Sequence, residues 1–283
     1  VSSRAEAQRL IDQGRVTVDG APRPKSHRVL PGEQVEVELS AEERQQAGAV
    51  PFEVICEDDH MLVVDKPAGV VVHPAPGYTG PTLAQALAGR AAGGDPERAG
   101  IVHRLDRDTS GLMVVATSEE AHRRLQRLIR RREMTREYLA LVEGAPASDS
   151  GTVDAPLGRD RVNRATVSTR TDRARPAVTH FEVLERLVHT SLLRVRLETG
   201  RTHQIRAHMA AIGHPVCGDR QYGGGDCGRR LGLDRQFLHS ARLMFNHPFT
   251  GAQVACESKP PADLRRSLDA ARREPVSGGP DGD

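Results

Sequence analysis

Residues 101–118 read IVHRLDRDTSGLMVVATS, and the break in the middle of that stretch governs everything around it. From His103 to Asp108 five of six side chains are polar or ionisable, whereas Leu112 to Ala116 are all apolar. An apolar run that short, bounded by Ser-Gly and Thr-Ser, reads as a strand buried on both faces rather than as a helix. Upstream, residues 52–57, 61–65 and 70–72 also read as strands, the last two separated by a Pro67-Ala68-Gly69 turn. Thr82 is placed to cap a helix through Leu87. Downstream, Ser118 with Glu119 and Glu120 starts a helix whose Leu125, Leu128 and Ile129 form one apolar stripe. YLALVEG, AVTHFEVLER and SLLRVRLETG read as further strands, and RTHQIRAHMAAIG as a helix. Strands outnumber long helices and irregular loops join them, so the expected class is α+β, built on a mixed, largely antiparallel sheet.

The N-terminal stretch has a different texture. Ala7, Leu10 and Ile11 recur at helical spacing from Ser3 to Gln13, with Gly14 placed to end the helix. RVTVDG and QVEVEL then alternate as short strands, the first closed by an Asp19-Gly20 turn. Residues 1–40 are expected to form a small partial αβ module, 41–50 a linker without periodicity, 51–271 the main domain and 272–283 a disordered tail. The chain opens on Val1, so the first element is expected to be incomplete.

With 283 residues, 37% hydrophobic and 28% charged, the chain can bury a large core without help from disulfides or metal. No stretch approaches the roughly 18 to 20 apolar residues of a membrane span, and the N-terminus lacks a signal peptide's apolar core; a cytoplasmic protein is expected. Cys56, Cys217, Cys227 and Cys256 show no paired CxxC spacing, which argues against zinc and fits inert, buried thiols in a reducing compartment. All but three of the 40 basic residues are arginine. A G+C-rich genome accounts for much of that bias, and recognition of phosphates by guanidinium forks is the functional alternative. Seven arginines and one acid lie between residues 122 and 136, an electrostatic footprint for a polyanion or a solvated helix face.

Three polar constellations interrupt apolar surroundings: HRLDRDTSG, TREYLALVEG and ETGRTHQIRAH. Asp106 lies between Arg104 and Arg107, and cations beside a partly buried carboxylate hold it ionised. Such a group serves as nucleophile, as base, or as part of a purely structural ion-pair network. HRLDRD lacks the downstream Asn of a kinase loop. Neither a Walker A sequence, an HExxH pair nor a GxSxG elbow is present.

These constellations, with VVDKPAGVVVHP before them and FLHSARLMFNHP after them, resemble the RluA/RluD family of RNA pseudouridine synthases, in the same order over residues 52 to about 260. Residues 2–39 are similar to the S-four RNA-binding module that precedes the catalytic domain in that family, without its first helix. The resemblance implies an isomerase that converts uridine to pseudouridine, needing neither cofactor nor metal, because the product is an isomer of the substrate. It implies large-subunit ribosomal RNA as the substrate, other ribosomal or transfer RNA as the runner-up, and a monomer. It places the nucleophile at Asp106, its partner arginine at Arg206, and at Tyr138 the tyrosine that packs on the target base. Arg104 would enter the space left by the extruded base, and Leu238 would wall the base pocket. Arg4, Arg9, Arg15, Arg123, Arg127, Arg130, Arg131 and Arg201 would meet RNA phosphates. A non-catalytic RNA-binding protein on the same scaffold, or a hydrolase using Asp106 as base, are the competing readings.

Overall fold

The computed structural model of the chain describes residues 4–38, 50–75, 78–163, 166–171 and 173–275. The described strands are β1 (Val16–Val18), β2 (Ala21–Pro22), β3 (Val35–Val37), β4 (Glu53–Glu57), β5 (Met61–Lys66), β6 (Ser110–Ala116) and β7 (Thr135–Glu143). They continue with β8 (Ser150–Asp154), β9 (Gly158–Arg159), β10 (Val167–Ser168), β11 (Val178–Arg186), β12 (Thr190–Leu197), β13 (Leu238–Asn246) and β14 (Gln253–Glu257). The described helices are α1 (Arg4–Asp12), α2 (Leu83–Ala86), α3 (Glu119–Arg130), α4 (Gln204–Ala211), α5 (Gly225–Arg230) and α6 (Ala262–Arg272). None is long and apolar enough to cross a membrane.

In the N-terminal unit α1 precedes a small antiparallel sheet in the order β2-β1-β3. Asp19 and Gly20 both take positive φ, 50° and 73°, as a two-residue hairpin turn with matching twist requires. Asp19 Oδ1 also accepts the Gln34 N–H at 2.9 Å, which ties that turn to β3. Leu10 and Val18 are buried. The expected linker lies outside the described residues except for Val50, which is buried.

The other strands, β9 and β10 apart, build a nine-stranded sheet in the order β4-β5-β6-β13-β7-β12-β11-β8, with β14 beside β13. Alternation along the strands splits the core in two. Leu62 and Val64 of β5 and Met113 and Val115 of β6 join a cluster with Ala140, Leu193, Ile205, Met209 and Leu264. Their neighbours Met61, Val63, Leu112, Val114 and Ala116 face the other way, onto Leu125 of α3 and Leu243. All seven residues of β6 are buried, as the LMVVA run implies for a strand covered on both sides. The capping boundaries also follow the sequence: Ser118 Oγ accepts the Ala121 N–H at 3.1 Å, and Thr82 and Gln85 form a reciprocal capping box.

Three expectations need correction. Residues 70–72 are not a strand; only Val71 forms a bridge, to Thr82. The Lys66 ammonium gathers the carbonyls of Pro67 at 2.8 Å and Val70 at 3.0 Å, which bends the chain away from the ladder. The thiol reading fails at Cys217 and Cys227, which form a disulfide with Cα atoms 5.2 Å apart. The loop between them doubles back through Gly218 N–H to the Gly224 carbonyl at 2.8 Å. The ordered chain also runs past residue 271. Arg272 Nη2 meets Glu185 at 2.7 Å and Arg230 Nε meets Glu274 at 2.5 Å, while residues 276–283 lie outside the described residues.

The one parallel pairing in the sheet, β13 against β6, sets His239 opposite Ser110 and Ser240 opposite Gly111. Gly111 has φ of 113°, and a Cβ there would lie 2.3 Å from the Ser240 carbonyl oxygen and 2.6 Å from its nitrogen. Gly111→Ala is therefore expected to cost on the order of 3 kcal/mol through strain and splaying of the two strands, read as a lower denaturation midpoint.

Candidate active site

The loop from His103 to Thr109 enters β6 with its backbone held from several sides. His103 Nε2 accepts the Val114 N–H at 3.0 Å, folding the loop back along the strand it precedes. Lys66, wholly buried, donates to the Arg107 carbonyl at 2.9 Å as well as to Pro67 and Val70, so all three of its hydrogens are used. Burial pulls that ammonium down to about 7 against the opposing pull of Asp108 and Asp106. Arg235 Nη1 donates to the Asp108 carbonyl at 2.9 Å, and Gln236 Nε2 to Thr109 Oγ at 3.2 Å. The Asp106 carboxylate is left at the mouth of this anchored loop, 17% exposed.

Its partner comes from a distant element. Arg206 of α4 donates from Nη1 to Asp106 Oδ2 at 3.0 Å, a hundred residues along the chain. The same guanidinium forks onto buried Asp219, Nε to Oδ2 at 2.6 Å and Nη2 to Oδ1 at 2.9 Å, and Nη2 also reaches Gln221 Oε1 at 2.9 Å. Burial works against the Arg206 charge, but Asp219 and Asp106 outweigh it, and the guanidinium is held protonated above its usual range. A bidentate pair fixes the plane of the fork, so the third donor can aim only at Asp106. The arginines that flank Asp106 in sequence do not contact it: Arg104 Nη1 lies 3.3 Å from His73 Nε2, and Arg107 pairs with Asp108 at 3.0 Å. Side chains one and two positions away in a turn point elsewhere.

Tyr222 sits under the Arg206 guanidinium, 4.9 Å from ring centre to carbon, and its hydroxyl is 3.0 Å from His203 Nδ1. His203 holds a left-handed backbone, φ 53°, at the start of α4, with Nε2 4.0 Å from Asp106 Oδ1. Burial lowers the His203 pKa, with Asp106 and Asp219 pulling it up and Arg206 and Arg104 pulling it down, so the ring is neutral near pH 7.

Asp106, His203 and Arg206 line a cavity of about 600 Å³, within the range of small-ligand sites. Asp106, Tyr138, Arg206, Arg104 and Leu238 all face it, together with Arg130 and Arg201. Tyr138, on β7, is buried, and burial pushes its phenol above its ordinary pKa. Arg201 Nε is held by the Pro176 carbonyl at 3.0 Å. Arg123, Arg127, Arg130 and Arg131 are exposed on or just after α3; of these only Arg130 reaches the cavity. Arg9, on α1, meets Gln13 at 3.2 Å, and the backbone N–H of Arg15 caps the same helix at the Leu10 carbonyl, 2.9 Å. The Arg4 side chain lies outside the described residues. Sequence reasoning missed Lys66, Asp219, Gln221 and Tyr222; the one available signal was an aspartate set among glycines and apolar residues in HPVCGD.

Residues 60–211 match the family described as RNA pseudouridylate synthase, and residues 1–35 match the S4 domain. The chain is 42% identical over 284 residues to the ribosomal large subunit pseudouridine synthase D of Nitrosomonas europaea, covering 97% of this chain and 82% of that one. It is 45% identical over 283 residues to an uncharacterized RNA pseudouridine synthase of Mycobacterium tuberculosis, covering 96% and 91%. Among solved structures, human RNA pseudouridylate synthase domain containing 1 superposes with a TM-score of 0.61 at 26% identity, covering 80% of this chain and 96% of that one.

Replacing Asp219 by Ala leaves the Arg206 fork buried without its principal partner. The variant is expected to lose about 3–5 kcal/mol of stability, read by denaturant unfolding, and to release the aim of Arg206 on Asp106.

Proposed function

The chain belongs to the RNA pseudouridylate synthase family, and on that premise we propose how its cavity performs the isomerisation and on which RNA. The activity is that of an RNA pseudouridine synthase, an isomerase, carried on a mixed-sheet catalytic fold with an S4 domain before it. The reading assigns the nucleophile to Asp106, and one observation supports it: the carboxylate lines the cavity while Arg206, itself locked by Asp219, holds one of its oxygens. Arg206 engages Oδ2, while Oδ1, 4.0 Å from His203 Nε2, accepts no hydrogen bond among the described residues, the arrangement an attacking carboxylate needs.

The remaining roles follow from position. Detaching uracil from its ribose, rotating it and rejoining it through carbon five requires a walled space in which the base can turn. Tyr138 and Leu238 supply apolar faces for the ring. The uridine must first leave its stack, at a cost of a few kcal/mol, and Arg104 at the cavity rim is placed to fill the vacancy. The exposed arginines of α3 bind phosphates without reading sequence, and the N-terminal module, with Arg4, Arg9 and Arg15, extends that surface. We assign residues 1–40 to that module and 51–271 to the catalytic domain. The substrate proposed is large-subunit ribosomal RNA, as in the name of the Nitrosomonas relative, with the protein acting as a monomer in the cytoplasm.

Treating unmodified large-subunit RNA with the protein and mapping carbodiimide-dependent reverse-transcription stops tests this reading. New stops are expected with the wild type and none with Asp106→Asn, whose RNA affinity should stay within a few-fold because shape and charge barely change. Stops that persist in the variant remove Asp106 from its role; their absence with the wild type on any ribosomal RNA rejects the target. Charge reversal of Arg123 and Arg127 is expected to weaken RNA binding at least tenfold and flatten its salt dependence, with little change in the rate at saturating RNA.

A further inference from the structure

Two polar groups in the cavity wall have no partner among the described residues, and both are hydrogen-bond donors. Arg136 stands two residues before Tyr138 on β7, so both project from the same face of the strand. The residue is only 4% exposed, yet among the described residues its guanidinium makes no hydrogen bond or ion pair, and its Nε is buried and unsatisfied. The acid beside it in sequence, Glu137, points to the opposite face, where it pairs with Arg196 at 3.4 Å. The nearby acid Glu198 is taken by Arg132 and His180.

The second donor is His103. Its Nε2 accepts the Val114 N–H at 3.0 Å, so the single hydrogen of the neutral ring must reside on Nδ1. Burial, reinforced by the Arg136 charge, pushes this imidazole down to about 3, so it is neutral throughout the working range. Nδ1 is buried and unpartnered. Every other cavity-lining imidazole has its nitrogens committed or turned to Asp106: His73 bonds the Pro74 carbonyl at 3.0 Å and Arg104 at 3.3 Å, and His203 lies between Tyr222 and Asp106.

A buried guanidinium without a counter-charge is unfavourable unless a ligand completes it, and a neutral carbonyl does not supply that charge. Resting on the reading of the chain as an RNA isomerase, we propose that Arg136 and the Nδ1–H of His103 form a phosphate subsite. It receives a phosphodiester next to the uridine that enters the cavity. Arg136 provides the charge and the planar fork, and His103 provides a fixed neutral donor that cannot be lost by deprotonation in the working range. The subsite lies on the same strand as Tyr138, so one rigid element sets the separation between the phosphate and the base.

The signature of such a site is opposite movement of stability and binding, because a residue kept for a ligand is a burden without it. Arg136→Met, which keeps the stem and removes the charge, is expected to raise the thermal midpoint of the RNA-free protein above that of the wild type. Inorganic phosphate should raise the midpoint of the wild type and of Asp106→Asn, and leave that of Arg136→Met unmoved. Binding of a large-subunit RNA transcript to Arg136→Met should weaken at least tenfold, and the slope of log affinity against log salt should fall by about 1. Arg136→Lys should retain the slope and lose part of the affinity.

An Arg136→Met protein that melts below the wild type assigns the side chain to structure and overturns the proposal. So does a wild type indifferent to phosphate, or a variant that binds RNA with the wild-type slope. None of these measurements depends on turnover, so they stand whether or not Asp106 proves to be the nucleophile.

Discussion

The Arg206 guanidinium is the constraint on which the candidate site depends. It is buried, it carries a permanent charge, and it has one carboxylate to lock it and another to aim at. Without Asp219 the plane of the fork would be free to turn; without Asp106 one donor would face the cavity unused. The arrangement separates two tasks that a single ion pair would mix. Asp219 neutralises and orients the arginine, which leaves Asp106 only singly engaged and open to the cavity.

Positioning Asp106 demands a rigid loop, and the fold supplies one by using up its backbone groups. Carbonyls of the 103–109 loop are taken by Lys66 and Arg235, and its imidazole turns back onto β6. Lys66 is costly to bury, and its three carbonyl partners are Pro67 in the turn, Val70 after it and Arg107 in the 103–109 loop. One ammonium thus joins the end of β5 to the loop entering β6. The parallel contact of β13 with β6 at Gly111 closes the arrangement from the other side, bringing Leu238 at the start of β13 to the cavity.

The disulfide between Cys217 and Cys227 encloses the residues that hold Arg206. Asp219, Gln221 and Tyr222 all lie within that closed loop, so the cross-link restrains the partners of the arginine rather than the arginine itself. The same economy appears on β7, where Arg136 and Tyr138 share one face while Glu137 serves the other.

Much of the fold was legible in the chain because alternation and caps are local. The LMVVA run had to be a doubly covered strand, Ser118 and Thr82 had to cap helices, and Asp19-Gly20 had to turn. The strand expected at residues 70–72 does not form because Lys66 takes the Val70 carbonyl and the N–H groups of Leu83 and Ala84 take those of Val71 and Val72, a competition that leaves no mark in hydropathy. At the site only an aspartate among arginines was legible from the residues alone, whereas Tyr138 and Arg206 were named by the family resemblance. The local chain therefore carries the inventory and the secondary structure, since both depend on residues within a few positions of one another. The pairing arises in three dimensions. Asp106 turned from the arginines at its side to one a hundred residues away, Asp219 became the lock, and Arg136 was left without a partner among the described residues, because an ion pair is fixed by distance and burial in space and neither is a property of neighbouring positions.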